Sequence, residues 1–573
     1  MKVKQFLSKV FIFITVCCFI NSCSTENTPS IEDDPLLKET KNTPSYGGEL
    51  KLIENEIYSN IFPYSLAENV AYRIVSQIHC SLLKMNAENL KIEPSIAKSW
   101  EVNDEQTKYT FHLRNDVFFH KDTCYKSKDS ARLKASDVAF TFELICSKYY
   151  NSGYNLLLNN LLGAKDFHEN KANSIEGLKI LNDTTIVFEL IEPSPTIVYI
   201  LSSAKTAIIS EKAYNKYGTS LKNGCGAFMF GGLDEDSSYI YLTKNDDFFA
   251  KDKNGGDLPY LDTVTIKINK ENQDPTSLFI EDGIMVLYDV TEAKVESLFE
   301  KYHSDFDDKK FIVDRKAIIA TDCYEFNISK APFNNPKVRK AFSYAVNRKS
   351  LIDNILKGQG KIGNKGIVPI VNTFKQYNYD TIVGYHYDPI KAKRYLAEAG
   401  YPNGEGFPEV VLELALGHPI QIDAAKEVQN QLSNVLNITI TIEQEKMNSL
   451  IKRAVAGSSQ MNHFTWLSEY PSPLDFLNVF YGSNELEENG ESWPNTSRYV
   501  NKKYNALLEK ALITSDLKER YALYTEAETI LMDDAPVLIL WYPEVYNIVH
   551  DYVKNLHFNE MLHYDYSKVY IKK

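Results

Sequence analysis

Basic charge is scarce in this chain. Its 573 residues carry 63 lysines and arginines against 76 aspartates and glutamates, a formal net charge of −13 at pH 7. Phosphate backbones require a basic face, so nucleic acid is excluded as a partner. Catalytic signatures are missing as well: there is no G-x-S-x-G, no H-E-x-x-H and no G-x-x-x-x-G-K-[ST]. The 11 histidines form no metal-spaced cluster, and His168-Glu169 lacks a second histidine. An enzyme is therefore not expected, and neither a cofactor nor a metal is implied. After the first 22 residues no apolar run approaches the roughly 20 residues of a membrane-spanning helix. Internal repeats and low-complexity domains are absent too.

What is present begins at the N-terminus. Lys2, Lys4 and Lys9 precede a run of 11 residues, VFIFITVCCFI from Val10 to Ile20, the pattern of a secretory signal. Ile20-Asn21-Ser22-Cys23 resembles a bacterial lipobox, which implies acylation of Cys23, palmitate among the chains, and attachment to a membrane. Loss of residues 1–22 removes three lysines and no acid, taking the net charge to −16. The polar, proline-bearing stretch from Ser24 to Tyr46 buries little and reads as a flexible tether with a reach of about 25 Å. Five cysteines follow: Cys80, Cys124, Cys146, Cys225 and Cys323. None forms C-x-x-C, and an odd number leaves at least one thiol free. They read as buried thiols, with room for one disulfide.

The length calls for two or three structural units. Ser99–His120 reads as a hairpin turning at Asn103–Thr107, and Lys179–Leu190 repeats the plan around Asn182-Asp183. Between them Val138–Tyr150 reads as a helix, making an α+β segment. Farther on, Asn335-Pro336 and Asp388-Pro389 each supply an N-cap followed by proline at the first helical position, and Gly400 ends the second helix. Residues 410–416, 438–444 and 461–469 read as strands separated by two helices, which implies parallel pairing with right-handed crossovers. Glu469, one acid among Trp466, Tyr470 and two prolines, then falls at the carboxyl end of a strand, where open α/β sheets bind ligands. The last segment reads as a helix followed by an apolar strand.

Two weaker patterns carry no chemistry. Gly358-Gln359-Gly360-Lys361-Ile362-Gly363 fits G-x-G-x-x-G but follows a helix where a dinucleotide site needs a strand. Asp234-Glu235-Asp236 lacks the glycine and terminal glutamate of a calcium loop and reads as a solvated turn.

Eight segments in order resemble the oligopeptide and dipeptide-binding family of ABC-transporter solute-binding proteins, family 5. They include IEPSIAKSWEVNDEQTKYTFHLRNDVFFH, LKASDVAFTFE, NGCGAFMF, LPYLDTVTIKIN, APFNNPKVRKAFSYAVNRKSLID, YDPIKAKRYLAEAGYPNG, WLSEYPSPLDFL and ERYALYTEAETILMDDAPVLILWY. The resemblance implies an α/β, two-lobed periplasmic-binding-protein clamshell of three structural segments with two hinge crossings and an α+β accessory domain. Lobe I would comprise 47–82, 201–316 and 542–573, the accessory domain 83–200, and lobe II 317–541. Two departures stand out: Cys225 and Ala227 replace the usual Thr and Pro in NGCGAFMF, and HKDTCYKSKDSAR is longer than the usual short turn.

Peptide-binding members set an aspartate of W-x-x-D-Y against the α-amino group of the peptide. The matching residues here are Trp466, Glu469 and Tyr470, with the carboxylate one methylene longer. Arg114, Arg339 and Arg348 read as structural cations, and no arginine is singled out for the peptide carboxylate. The expected function is that of a monomeric, lipid-anchored receptor on the extracytoplasmic side of a bacterial envelope. It would capture di- to oligopeptides and deliver them to ABC permease and ATPase subunits. The alternatives are the same fold binding a metal chelate such as nickel or an oligosaccharide, and, from another class, an envelope hydrolase or peptide chaperone.

Overall fold

The computed structural model describes residues 43–572 apart from 56, 67, 151–159, 271, 272, 282, 303, 304, 306–309 and 483–489. The signal segment, Cys23 and most of the tether lie outside the described residues. Ser45–Lys573 form one compact unit. Among the described residues no helix is long and apolar enough to cross a membrane.

Three sheets organise that unit. The first has seven strands in the order Phe311–Ala317, Glu544–His550, Val286–Val290, Glu49–Glu54, Thr263–Ile268, Tyr239–Lys244 and Phe228–Leu233. Alternate residues such as Leu50, Leu52, Val264 and Ile266 turn into its core, joined by Val70 and Ile74 of the helix Asn69–Ile78. The second runs Lys361–Ile362, Val537–Tyr542, Ala320–Phe326, Met461–Leu467, Val410–Ala415, Ile440–Glu445. Each of these large sheets supports one lobe of an α/β fold. A four-stranded antiparallel sheet, made by the two hairpins Ala97–Val102/Lys108–Leu113 and Leu178–Asn182/Thr185–Glu189, packs against the helix Ala135–Cys146.

The second sheet is mixed. Val410–Ala415 pairs in parallel with both Ile440–Glu445 and Met461–Leu467, as its alternating strands and helices require. Met461–Leu467 then pairs antiparallel with Ala320–Phe326, which periodicity within one segment does not disclose. The caps act as expected: Asn335 accepts from Lys337 N–H, and Asp388 from Lys391 N–H. The accessory helix starts at Ala135, before Val138, because Asp137 accepts the Lys134 N–H, and it stops at Cys146, short of Tyr150.

Two chain crossings link the large sheets. Phe311–Ala317 leads through Ile318-Ile319 into Ala320–Phe326, and Val537–Tyr542 leads through Pro543 into Glu544–His550. The crossings lie side by side, with Ile318 N–H donating to the Pro543 carbonyl at 3.1 Å. Such a paired ribbon is thin and can bend without disturbing either core.

Candidate functional site

The strand Met461–Leu467 ends against one of these crossings, where Ser468 N–H donates to the Ile319 carbonyl at 2.9 Å. The next residues fold back on a second acid that sequence reading passed over, Asp475. Its Oδ2 accepts the Glu469 N–H at 2.8 Å and the Ser468 hydroxyl at 3.0 Å. Ser472 caps the short helix Pro473–Leu477 by accepting the Leu474 N–H. With Pro471 and Pro473 fixing φ on either side of it, the bend has few alternatives. The Glu469 side chain is thus aimed outward by its own backbone.

Glu469 is not a lone carboxylate. Lys205 Nζ lies 2.8 Å from its Oε1 and 2.9 Å from its Oε2. Lys205 sits in the turn Ala204–Thr206, whose Ala204 packs in the core of the first sheet, whereas Trp466 packs against a core of the second. The pair therefore joins the two lobes. It stays in reach of water, the Glu469 side chain being 47% exposed and that of Lys205 26%. Beside it Tyr470 stacks on Tyr199 at 6.1 Å between ring centroids, with 18° between planes. Trp466 leans on Trp493 at 6.5 Å.

Electrostatics divides the two acids. Burial pushes the Asp475 carboxyl up to about 7, with the Glu469 charge adding to the rise, while the Glu469 N–H, Ser468 and Trp466 oppose it. The Trp466 indole N–H is buried without a hydrogen bond of normal geometry, close enough to Asp475 to favour its ionised form. Asp475 is thereby a positioning group that shapes the bend, and Glu469 is the acid that meets solvent. The Tyr470 phenol is held neutral, its pKa raised by burial and then by the charge of Asp475.

The structure brings Trp466, Glu469 and Tyr470 to one bend and adds Lys205, Asp475, Tyr199 and Trp493. Asp475 had a local signal, since Ser472-Pro473-Leu474-Asp475 has the form of a helix start. Lys205 had none. The three arginines are spent on structure: Arg339 donates to the carbonyls of Phe333, Asp534 and Ala535. Arg348 donates to those of Ile539, Ser343, Val346 and Tyr385, and Arg114 pairs with Asp116 at 2.8 Å. Gly358–Gly363 forms a turn leading into the strand Lys361–Ile362, with Gly358 and Gly360 at positive φ. Asp234 closes the hairpin between Phe228–Leu233 and Tyr239–Lys244 by accepting the Tyr239 N–H. Among the described residues no three His, Cys, Asp or Glu side chains group as a metal site.

Residues 91–488 match the family described as bacterial extracellular solute-binding proteins, family 5. The heme-binding protein A of Haemophilus influenzae is 28% identical over 505 residues, 85% of this chain and 85% of that protein. The dipeptide-binding protein of Escherichia coli is 26% identical over 486 residues, 82% of this chain and 85% of that one. Among solved structures, the ABC transporter-associated periplasmic binding protein DppA from Helicobacter pylori in complex with peptide STSA superposes with a TM-score of 0.72 at 26% identity, covering 92% of this chain and 99% of that one. A periplasmic oligopeptide-binding protein from Borrelia burgdorferi has the same TM-score at 23% identity, covering 91% and 99%, and shares the fold. The chain belongs to the family 5 bacterial extracellular solute-binding proteins.

Proposed function

We propose that the chain is a lipid-anchored extracytoplasmic receptor that captures short peptides between its lobes and delivers them to the permease of an ABC importer. The observation that carries the reading is the solvent-reachable Glu469 carboxylate, beside the hinge and already engaged by an ammonium from the opposite core. The α-amino group of a peptide has the same charge and donor set as the lysine ammonium, so it can take the place of Lys205 at little electrostatic cost. Trp466 and Tyr470 form the walls. The relatives named for dipeptide binding, and the Helicobacter pylori relative holding a peptide, support this solute class.

In this reading lobe I is 47–82, 201–316 and 542–573, lobe II is 317–541, and 83–200 is the accessory domain; the grouping of strands into three sheets supports this division to within a residue at each crossing. Cys23 carries the acyl chains, the receptor acts as a monomer, and ATP is hydrolysed by the partner ATPase subunits. A second reading has one specific support: a relative at 28% identity is named for heme, so the cleft could serve a non-peptide solute.

The test is thermal stabilisation of protein stripped of ligand by unfolding and refolding, with mixed short peptides and with the same peptides N-acetylated. Ligand at about 100 times its dissociation constant adds roughly 2.7 kcal/mol of stability. Stabilisation by free peptides alone is the expected result. Equal stabilisation by both pools removes the amine role from Glu469, and a response to heme alone replaces the peptide reading by the second one.

A further inference from the structure

Five thiols are described, and two of them meet. Cys80 Sγ donates to the Cys225 carbonyl at 3.5 Å, and the Cys225 thiol faces both the backbone N–H and the thiol of Cys80. The encounter is built into the backbone. Gly226 N–H donates to the Ile78 carbonyl at 2.8 Å, Ile208 N–H to the Cys80 carbonyl at 2.9 Å, and His120 N–H to the Gly224 carbonyl at 2.7 Å. The flanking glycines permit the approach: a Cβ on Gly224 would stand 2.1 Å from the Ile78 oxygen, and one on Gly226 2.3 Å from the Gln77 oxygen. Neither segment can drift away while these contacts hold.

We infer that Cys80 and Cys225 form a redox-active dithiol that closes into a disulfide, stapling the helix Asn69–Ile78 to the entry of the strand Phe228–Leu233. The substrate is a low-molecular-weight or protein disulfide of an oxidising compartment, so the occurrence of the bond in the cell rests on the extracytoplasmic location proposed above.

Exposure assigns the roles. Cys80 is partly exposed and Cys225 is buried, so an external disulfide reaches Cys80 first. The Cys80 thiolate attacks R–S–S–R, forming a Cys80–S–S–R mixed disulfide and releasing one thiolate. Cys225 then loses its proton and attacks the Cys80 sulfur, forming the Cys80–Cys225 bond and releasing the second thiolate. Two protein thiols are oxidised, and one external disulfide is reduced to two thiols. The neighbouring Cys80 thiol and then burial hold the Cys225 thiol in its protonated form, which leaves it inert toward outside reagents until that mixed disulfide is made. The other three cysteines have no such meeting: Cys323 donates to the Phe464 carbonyl within the second sheet, Cys146 is buried in the accessory core, and the Cys124 N–H is held by Asp122.

The closed bond would enclose residues 81–224, which include all four strands of the smaller sheet. A cross-link around so long a loop restricts the unfolded chain strongly. The four-stranded sheet and its helix would then be fastened at their root.

The experiment equilibrates detergent-solubilised full-length protein with reduced and oxidised glutathione, alkylates the remaining thiols under denaturing conditions, and maps peptides without reduction. The expected result is a Cys80–Cys225 linked peptide, alkylated Cys124, Cys146 and Cys323, and a melting temperature about 5 °C above that of the reduced protein. In Cys80→Ser both the linked peptide and the difference between oxidised and reduced samples disappear. Recovery of Cys225 as the alkylated thiol under oxidising poise, or a link from Cys80 to any other cysteine, overturns the inference. Because glutathione is supplied in the tube, neither result depends on where the protein resides or what it transports.

Discussion

At the residue scale the proposed function makes the site a competition between two ammonium groups, that of Lys205 and that of a peptide, for the Glu469 carboxylate. A partly exposed ion pair such as Lys205–Glu469 contributes only about 0.2–1 kcal/mol, so its loss on ligand entry is a modest toll. Lys205→Met should therefore tighten binding of a free peptide by about two- to fivefold in a dissociation-constant titration; weaker binding would mean that Lys205 itself holds the ligand. A second residue-scale prediction concerns Glu528, which is fully buried and accepts the Val368 N–H at 2.8 Å and the Tyr377 hydroxyl at 2.6 Å. Burial raises its pKa from 4.5 to about 7. Between those values the folded protein retains a proton that the unfolded chain has released, so this group takes stability away as pH rises through the window. Glu528→Gln keeps an acceptor for Val368 and loses the titration. Its stability relative to the parent should climb by about 3 kcal/mol between pH 4 and pH 8 in urea melts; a difference constant with pH would contradict the assignment.

At the element scale, close backbone approaches set what each helix and strand can tolerate. Gly224 and Gly226 let the end of the helix Asn69–Ile78 lie against the strand entry at 228, and Gly224→Ala should cost about 3 kcal/mol or more because its Cβ would strike the Ile78 oxygen. Unfolding titrations measure this, and an unchanged midpoint would show that the contact yields easily. Much of this scale was readable beforehand. Asn335-Pro336 and Asp388-Pro389 declare helix starts, and both hairpins of the smaller sheet declare their turns, because caps and turns are decided by adjacent residues. The first sheet was not readable as a unit. Its neighbours Glu544–His550 and Phe311–Ala317, or Glu49–Glu54 and Thr263–Ile268, meet only after long excursions of chain, and no local period records such pairing. The site divides in the same way. Trp466, Glu469 and Tyr470 share one bend, whereas Lys205 lies 264 residues from Glu469 and is brought there by the folding of the other lobe.

At the scale of the whole molecule, two adjoining crossings, at 318–319 and at 543, connect the large sheets, and the candidate site hangs from one of them through the Ser468 to Ile319 hydrogen bond. A ligand gripped from both sides can thus be coupled to bending of the ribbon, the usual motion by which two-lobed receptors enclose a solute. The Lys205–Glu469 pair joins the two lobes, and beside it Tyr470 stacks on Tyr199. In the proposed account, charge at Glu469 selects the solute and the hinge reports its capture.

The measurement that tests this most directly is a double cycle of dissociation constants. It pairs the best-stabilising peptide and its N-acetyl form with the parent protein and with Glu469→Gln. If the ammonium sits on Glu469, acetylation should weaken binding to the parent at least about tenfold, the size of a charge-assisted hydrogen bond, and should have little effect on the variant. An equal loss in both proteins, or none in either, would contradict amine capture at Glu469.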